Sequence, residues 1–426
     1  MMGSHRTFQG TREGRIALVG ARCALGTDNP IVASIEIESG KIARIRRTSF
    51  APVSRSITGG AIDLSGYLLL PGLVNAHDHL EFALYPRMAD GPYRNYVEWG
   101  EDIHRKFADV IATHHAVPKN IRLLWGGIRN LLCGVTTVSH HNPLRPELLQ
   151  DDFPIRVVKN YGWAHSVALG GDLRAAQAAR PQASAFIVHA GEGVDDFSRD
   201  ELRRLNELGV LDAFTVVVHG LGFNRDCVAL MNKCGSALVL CPSSNELLFD
   251  RTPDMELIGK IRRVALGSDS PLTAAGDLLD EIRFAMDRCG IAPGDAYEMV
   301  THSAAEILQL EGGEGSIVES GVGDVIAIAD SGVCVDELMK TIEWEDIELV
   351  VIGGCVQLAS TSMLKRIPRL FADGLEAVSV NGTLRWVRAP IREMLYRAET
   401  VLGEGSVRLG GKPIYAAEYA EAQYVA

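Results

Sequence analysis

Residues 67–79 read YLLLPGLVNAHDH, an apolar run that closes on two histidines flanking an aspartate. The same form recurs as GVTTVSHH (134–141), IRVVKNYG (155–162), SAFIVHAGE (184–192), FTVVVHG (214–220), SALVLCPSS (236–244) and VALGSDS (264–270). Between these runs lie helix-like stretches, among them NIRLLWGGIRNLLC (120–133), FSRDELRRLNELG (197–209), NRDCVALMNKCG (224–235) and GDLLDEIRFAMDRCG (276–290). Buried, β-branched strands that alternate with helices argue for a parallel sheet of βα units. Seven such strands are countable, and polar residues fall at the C-terminal ends of most of them. Barrel enzymes place their active sites there, because the βα loops converge on that face.

Outward from this middle, the two ends of the chain resemble each other. RIALVGA (15–21) and SIEIESGKIARIRR (34–47) have short-strand and turn grammar, and so do GSIVES (315–320), GDVIAIAD (323–330), IELVVIGG (347–354) and EAVSVNGTLRWV (376–387). The economical architecture is an α/β barrel over 71–312, set into a small β domain built from 1–70 and 313–426. At ~150 residues per domain, 426 residues suggest two or three domains, and a barrel uses 200–250 of them as one.

Composition narrows the class. Apolar residues make up 47% and charged residues 23%, as in globular proteins. The net charge of −12 repels phosphate backbones, so no nucleic-acid partner is expected. Eight cysteines with no CxxC pair read as free thiols of a reducing compartment, with the cytoplasm as the expected location. No apolar run approaches the ~18 residues of a membrane span, and the opening MMGSHRTFQGTREGR has no apolar h-region.

His77 and His79 stand at i and i+2 on a strand, so both imidazoles face one side and form half of a divalent metal site. His189, His219 and Asp269 end other strands at the same topological position, and Glu192 follows His189 by three residues. Any one of these alone reads as a cap or a satisfied loop group. Together they read as a metal centre.

PGLVNAHDH, HAGE, VHG, CPSSN and LGSDS, in that order, resemble the amidohydrolase superfamily, within it the branch of cytosine, guanine and adenosine-type deaminases and the triazine hydrolases. GVTTV and THSAAEILQLEGGEGSIVESGVGDVIAIAD (301–330) match the same family, and the resemblance runs from Arg15 to about Asp330. It implies a distorted (β/α)8 barrel with a composite β-sandwich. It implies that His77, His79, His189 and Asp269 bind one divalent metal, zinc or iron, and that Asp269 also takes the proton from the attacking water. Glu192 would then protonate the ring nitrogen or the leaving group, while His219 polarises the water or the developing oxyanion without ligating the metal. The implied reaction is hydrolytic deamination of an amino-substituted purine, pyrimidine, pterin or triazine, in a homo-oligomer like many relatives. Amide or cyclic-amide hydrolysis is the alternative chemistry, and a non-catalytic metal-binding relative is the alternative class.

Substrate contacts are expected from four further residues. Arg87 and Trp99 lie in LEFALYPRMADGPYRNYVEWGEDIHRKF (80–107), which should form a loop over the pocket. His141 and His165 end or follow barrel strands. Cys241 reads as a buried small hydrophobe, and His104, His114 and His115 as a solvated helix face. The interval before FIVHAGE holds only one helix-like segment, where the family fits another strand.

Overall fold

The computed structural model describes residues 14–26, 29–47, 60–274 and 276–417. Of the opening run that lacks an h-region, residues 1–13 fall outside these residues. No helix among them is long and apolar enough to cross a membrane.

One sheet gathers strands from both ends of the chain. Its N-terminal members are β1 (Arg15–Cys23), β2 (Ile31–Glu38), β3 (Lys41–Arg47), β4 (Ala61–Asp63) and β5 (Tyr67–Pro71). After the central strands β6–β13, whose ranges follow, the chain returns to it with β14 (Val325–Ala329), β15 (Leu349–Ile352), β16 (Cys355–Ser360), β17 (Glu376–Val380), β18 (Thr383–Val387), β19 (Arg408–Leu409) and β20 (Lys412–Ala416). The order is β19-β20-β17-β18-β16-β15-β14-β5-β1-β2-β3, with β4 on β1. The seam between the two ends is the antiparallel pair β5–β14, in register from Tyr67↔Ala329 to Pro71↔Val325. GSIVES forms no strand; only Ile317 from it is buried in the core of this sheet.

The middle of the chain supplies eight parallel strands, not seven. They are β6 (Leu73–Asp78), β7 (Val135–His140), β8 (Arg156–Val157), β9 (Tyr161–Ser166), β10 (Ala185–Ala190), β11 (Thr215–His219), β12 (Ala237–Leu240) and β13 (Val264–Leu266). They form two arcs, β6-β7-β8 and β9-β10-β11-β12-β13. The strand that seemed to be missing is YGWAHS. It starts inside IRVVKNYG, and only Val158, Lys159 and Asn160 separate β8 from β9, with no helix between them.

Side chains and loops close the barrel where the ladders stop. Between β7 and β9, the Tyr161 hydroxyl donates to the His140 carbonyl at 2.7 Å. Between β13 and β6, Asp269 N–H donates to the His77 carbonyl at 3.0 Å, and Asn75 bonds both the backbone N–H and the hydroxyl of Ser268. The quoted stretch 67–79 is itself two strands. It breaks at Gly72, where a Cβ would lie 2.1 Å from Thr136 Oγ1.

On β10 the inner and outer faces alternate as strand geometry requires. Ala185 and Ile187 pack with Val216, Val218 and Val239, while Phe186, Val188 and Ala190 join the cluster that includes the helix residues Leu202 and Leu205. His189 shares the inner face.

Candidate metal centre

The side chains expected at the metal centre converge. Ring nitrogens, carboxylate oxygens and one thiol fall within 4.8 Å of one another in three overlapping triplets: His77–His79–Asp269, His77–His189–His219 and His219–Cys241–Asp269. His77 Nε2 is 3.4 Å from Asp269 Oδ1 and 3.2 Å from His189 Nε2, and His79 Nε2 is 3.7 Å from the same aspartate oxygen. All are buried. His219 and Asp269 both adopt left-handed backbone, with φ of 81° and 51°. Strained backbone of this kind at non-glycine residues clusters at functional sites.

Local structure orients each group. His189 Nδ1 donates to the His165 carbonyl at 2.7 Å, which turns Nε2 toward His77. Asn245 holds His219 through Nδ1 at 3.1 Å, and His219 Nε2 is 3.6 Å from Glu192 Oε2. Asp78, between the two histidines, faces elsewhere: it accepts from Arg129 Nη1 at 3.1 Å and from Asn130 Nδ2 at 2.6 Å. β6 and β13 approach closely beside the cluster, where a Cβ on Gly267 would lie 2.6 Å from His77 Cβ and 2.8 Å from His77 N. Gly267→Ala is therefore expected to cost about 1–3 kcal/mol and to loosen metal binding. Denaturant unfolding and metal titration of the variant check both effects, and unchanged values in both would remove this contact from the account.

Electrostatics separates the carboxyl groups. Burial would raise Asp269, but its close contact with His77 and the surrounding imidazoles outweighs that and holds it well below the usual carboxylate range. Glu192 is pushed well above its usual range by burial, reinforced by Asp269 and Glu201, which favours its acid form. Burial holds His79 and His189 well below ordinary histidine, helped by neighbouring imidazoles, and lowers His219 to about 4. Cys241 is pushed well above its usual range, first by burial, and stays a thiol.

This donor set fits a divalent transition metal. His189 turns a bare nitrogen lone pair toward His77 Nε2 at 3.2 Å, with an ionised carboxylate beside them, and a shared cation resolves that repulsion.

Behind the cluster, Glu281 accepts from Ser243 N–H at 2.9 Å and from the Ser243 hydroxyl. Burial lifts it to about 8, against the pull of those hydrogen bonds. A carboxyl raised on folding contributes fully below its unfolded value, and the contribution is lost as pH rises through the folded one. Glu281→Gln should therefore gain stability relative to the wild type as pH rises from about 4.5 to about 8. Paired unfolding curves across that range test this, and a pH-independent difference would contradict it.

The segment after His79 spans the barrel mouth. Met88 N–H donates to Leu272 O, Tyr93 N–H to Leu248 O and Tyr96 N–H to Glu192 O, so it reaches the loops after β13 and β10 and the helix Pro242–Phe249 after β12. Its polar groups are largely engaged by protein. Trp99 Nε1 donates to Met88 O at 2.9 Å, Arg87 Nε to Ala274 O at 2.9 Å, and Tyr96 Oη to Glu201 at 2.7 Å. His165 is half-buried beside Ser166, and both ring nitrogens of His141 meet protein atoms. His104 and His115 are exposed, and His114 packs against Tyr85.

The amidohydrolase family profile matches residues 176–356. A 5-methylthioadenosine/S-adenosylhomocysteine deaminase from Teredinibacter turnerae is 24% identical over 392 residues, covering 79% of this chain and 86% of the relative. Among solved structures, a triazine hydrolase variant superposes with a TM-score of 0.70 at 17% identity, over 91% of this chain and 99% of its own. An adenosine deaminase from Xanthomonas campestris with bound zinc gives 0.61 at 18% identity, over 81% and 93%. Residues 176–356 thus match the amidohydrolase family, and most of the chain is similar in sequence to a deaminase and in fold to a triazine hydrolase and an adenosine deaminase.

Proposed function

We propose that this protein is a metal-dependent hydrolase of carbon–nitrogen bonds that deaminates an amino-substituted nitrogen heterocycle of the purine, pyrimidine, pterin or triazine class. The observation that carries this reading is the buried convergence of His77, His79, His189, His219 and Asp269, with Glu192 Oε2 3.6 Å from His219 Nε2, where Asp269 is held down and burial drives Glu192 up. Two carboxyls with pKa values pushed apart are the mark of an acid and a base assigned to opposite tasks. The relatives, a deaminase of adenosine derivatives and a triazine hydrolase, support the substrate class.

His77, His79, His189 and Asp269 would hold one divalent ion, zinc first and iron second. Such an ion supplies the Lewis acidity that makes a water nucleophilic near neutral pH, its pKa falling from ~15.7 toward ~7. Asp269 takes the proton from the attacking water. Glu192 gives its proton to the ring nitrogen beside the attacked carbon. His219, locked by Asn245, orients the attack and polarises the developing oxyanion. The water oxygen replaces the amino group, which leaves as ammonia carrying a proton returned through the same carboxyls.

Arg87, Trp99, His141 and His165 stand as the proposed substrate contacts; Trp99 Nε1 and both ring nitrogens of His141 meet protein atoms, so those two would not hydrogen-bond a substrate. Eight free cysteines fit work in the reducing cytoplasm, and a homo-oligomer is proposed from the family resemblance alone. An ammonia-release screen of the zinc- or ferrous-loaded protein against such heterocycles tests the reading. Stoichiometric ammonia is expected; ring opening without ammonia would replace deamination by cyclic-amide hydrolysis.

A further inference from the structure

His141 follows β7 with no exposed surface. Its Nε2 lies 2.9 Å from the Ala164 carbonyl, and a carbonyl only accepts, so that nitrogen carries a hydrogen. Its Nδ1 lies 3.3 Å from His77 Nδ1, a contact that holds one hydrogen between two nitrogens. If His141 supplied it, the ring would be a fully buried cation, stacked 4.2 Å from His189 and edge-on to Trp163. A charge with no exposed surface, packed against imidazole rings and a single carbonyl, is strongly disfavoured. The hydrogen therefore sits on His77 Nδ1. His77 Nε2, the atom facing Asp269 and His189, is left as a bare lone pair.

We propose that His141, backed by the Ala164 carbonyl, is a positioning residue that fixes the tautomer and ring orientation of His77 so that its Nε2 is held ready to ligate a divalent ion. The inference rests on the metal-hydrolase reading and changes the part assigned to His141, from touching substrate to aiming a metal ligand. It also gives the seam between β7 and β9 a second task. The link Ala164–His141–His77 runs from β9 past β7 to β6, so the edge that the short β8 leaves open is tied to the metal centre. His189 receives the equivalent service from the His165 carbonyl, one residue further along β9. Both orienting carbonyls thus come from the strand hidden within IRVVKNYGWAHS.

Partners of this kind are worth 10–100-fold in metal affinity. The test is a competition titration of metal-free protein with zinc against a chromophoric chelator, in the wild type and two variants. His141→Phe keeps a ring for the stack and offers His77 no acceptor. His141→Gln offers an amide oxygen to His77 Nδ1 and an amide hydrogen to Ala164 O. The expected result is zinc affinity weakened about 10–100-fold in the Phe variant and largely recovered in the Gln variant, with both metal-free proteins melting close to the wild type. His141→Asn, too short to reach His77 and Ala164 together, should behave like the Phe variant and replaces it if that protein does not fold. Equal affinity in the wild type and the Phe or Asn variant overturns the inference, and so does a Gln variant no better than either. A wild-type chain that binds neither zinc nor ferrous iron overturns the hydrolase reading along with it, so the two failures are distinguishable.

Discussion

Glu192→Gln is expected to lower kcat by about 10²- to 10⁴-fold while leaving the metal content unchanged. Glutamine has the shape of the protonated acid and meets the same buried surroundings, so packing is kept. It cannot give up a proton to the ring nitrogen. The wild-type rate should fall as pH rises through the raised pKa of Glu192, because the acid form does the work. The Gln variant should lack that limb. Rates against pH, with metal measured on the same samples, separate this loss from a loss of metal. A Gln variant with full activity would remove Glu192 from the mechanism.

Asp269→Asn is expected to remove both metal and activity. The choice of asparagine matters because Asp269 has a φ of 51°, and asparagine tolerates left-handed backbone where alanine is strained. The amide keeps the backbone conformation but lacks the charge that balances a divalent ion and the basicity that accepts a proton from water. Zinc affinity should fall by more than about 10²-fold, beyond what outer-shell partners are worth. Stripping the wild type with a chelator should abolish turnover, and zinc or ferrous iron should restore it. Unchanged zinc affinity in Asp269→Asn would take this aspartate out of the ligand set.

The site was legible because strand-end chemistry is written locally. HDH, HAGE, VHG and SDS each end a buried strand, and i, i+2 geometry aims His77 and His79 together without long-range information. What could not be read depends on contacts distant in sequence. β8 and β9 merge in IRVVKNYGWAHS because a three-residue link carries neither a helix nor a strong turn signal. Arg129 looks like an exposed residue of an amphipathic helix, yet it is 2% exposed and reaches Asp78 and the Gly276 carbonyl. Trp99, Arg87 and Tyr96 suited a flat substrate by type, but protein partners take Trp99 Nε1, Tyr96 Oη and Arg87 Nε. The one cue to His141 was its adjacency to His140, which cannot say which ring reaches His77.

Elemental analysis of the purified, tag-free protein tests the central claim most directly. The account predicts one zinc or iron per chain, lost in His77→Ala and in Asp269→Asn. No bound metal in the wild type, even after reconstitution with zinc or ferrous iron, would contradict it and leave the chain an amidohydrolase-fold protein turned to binding.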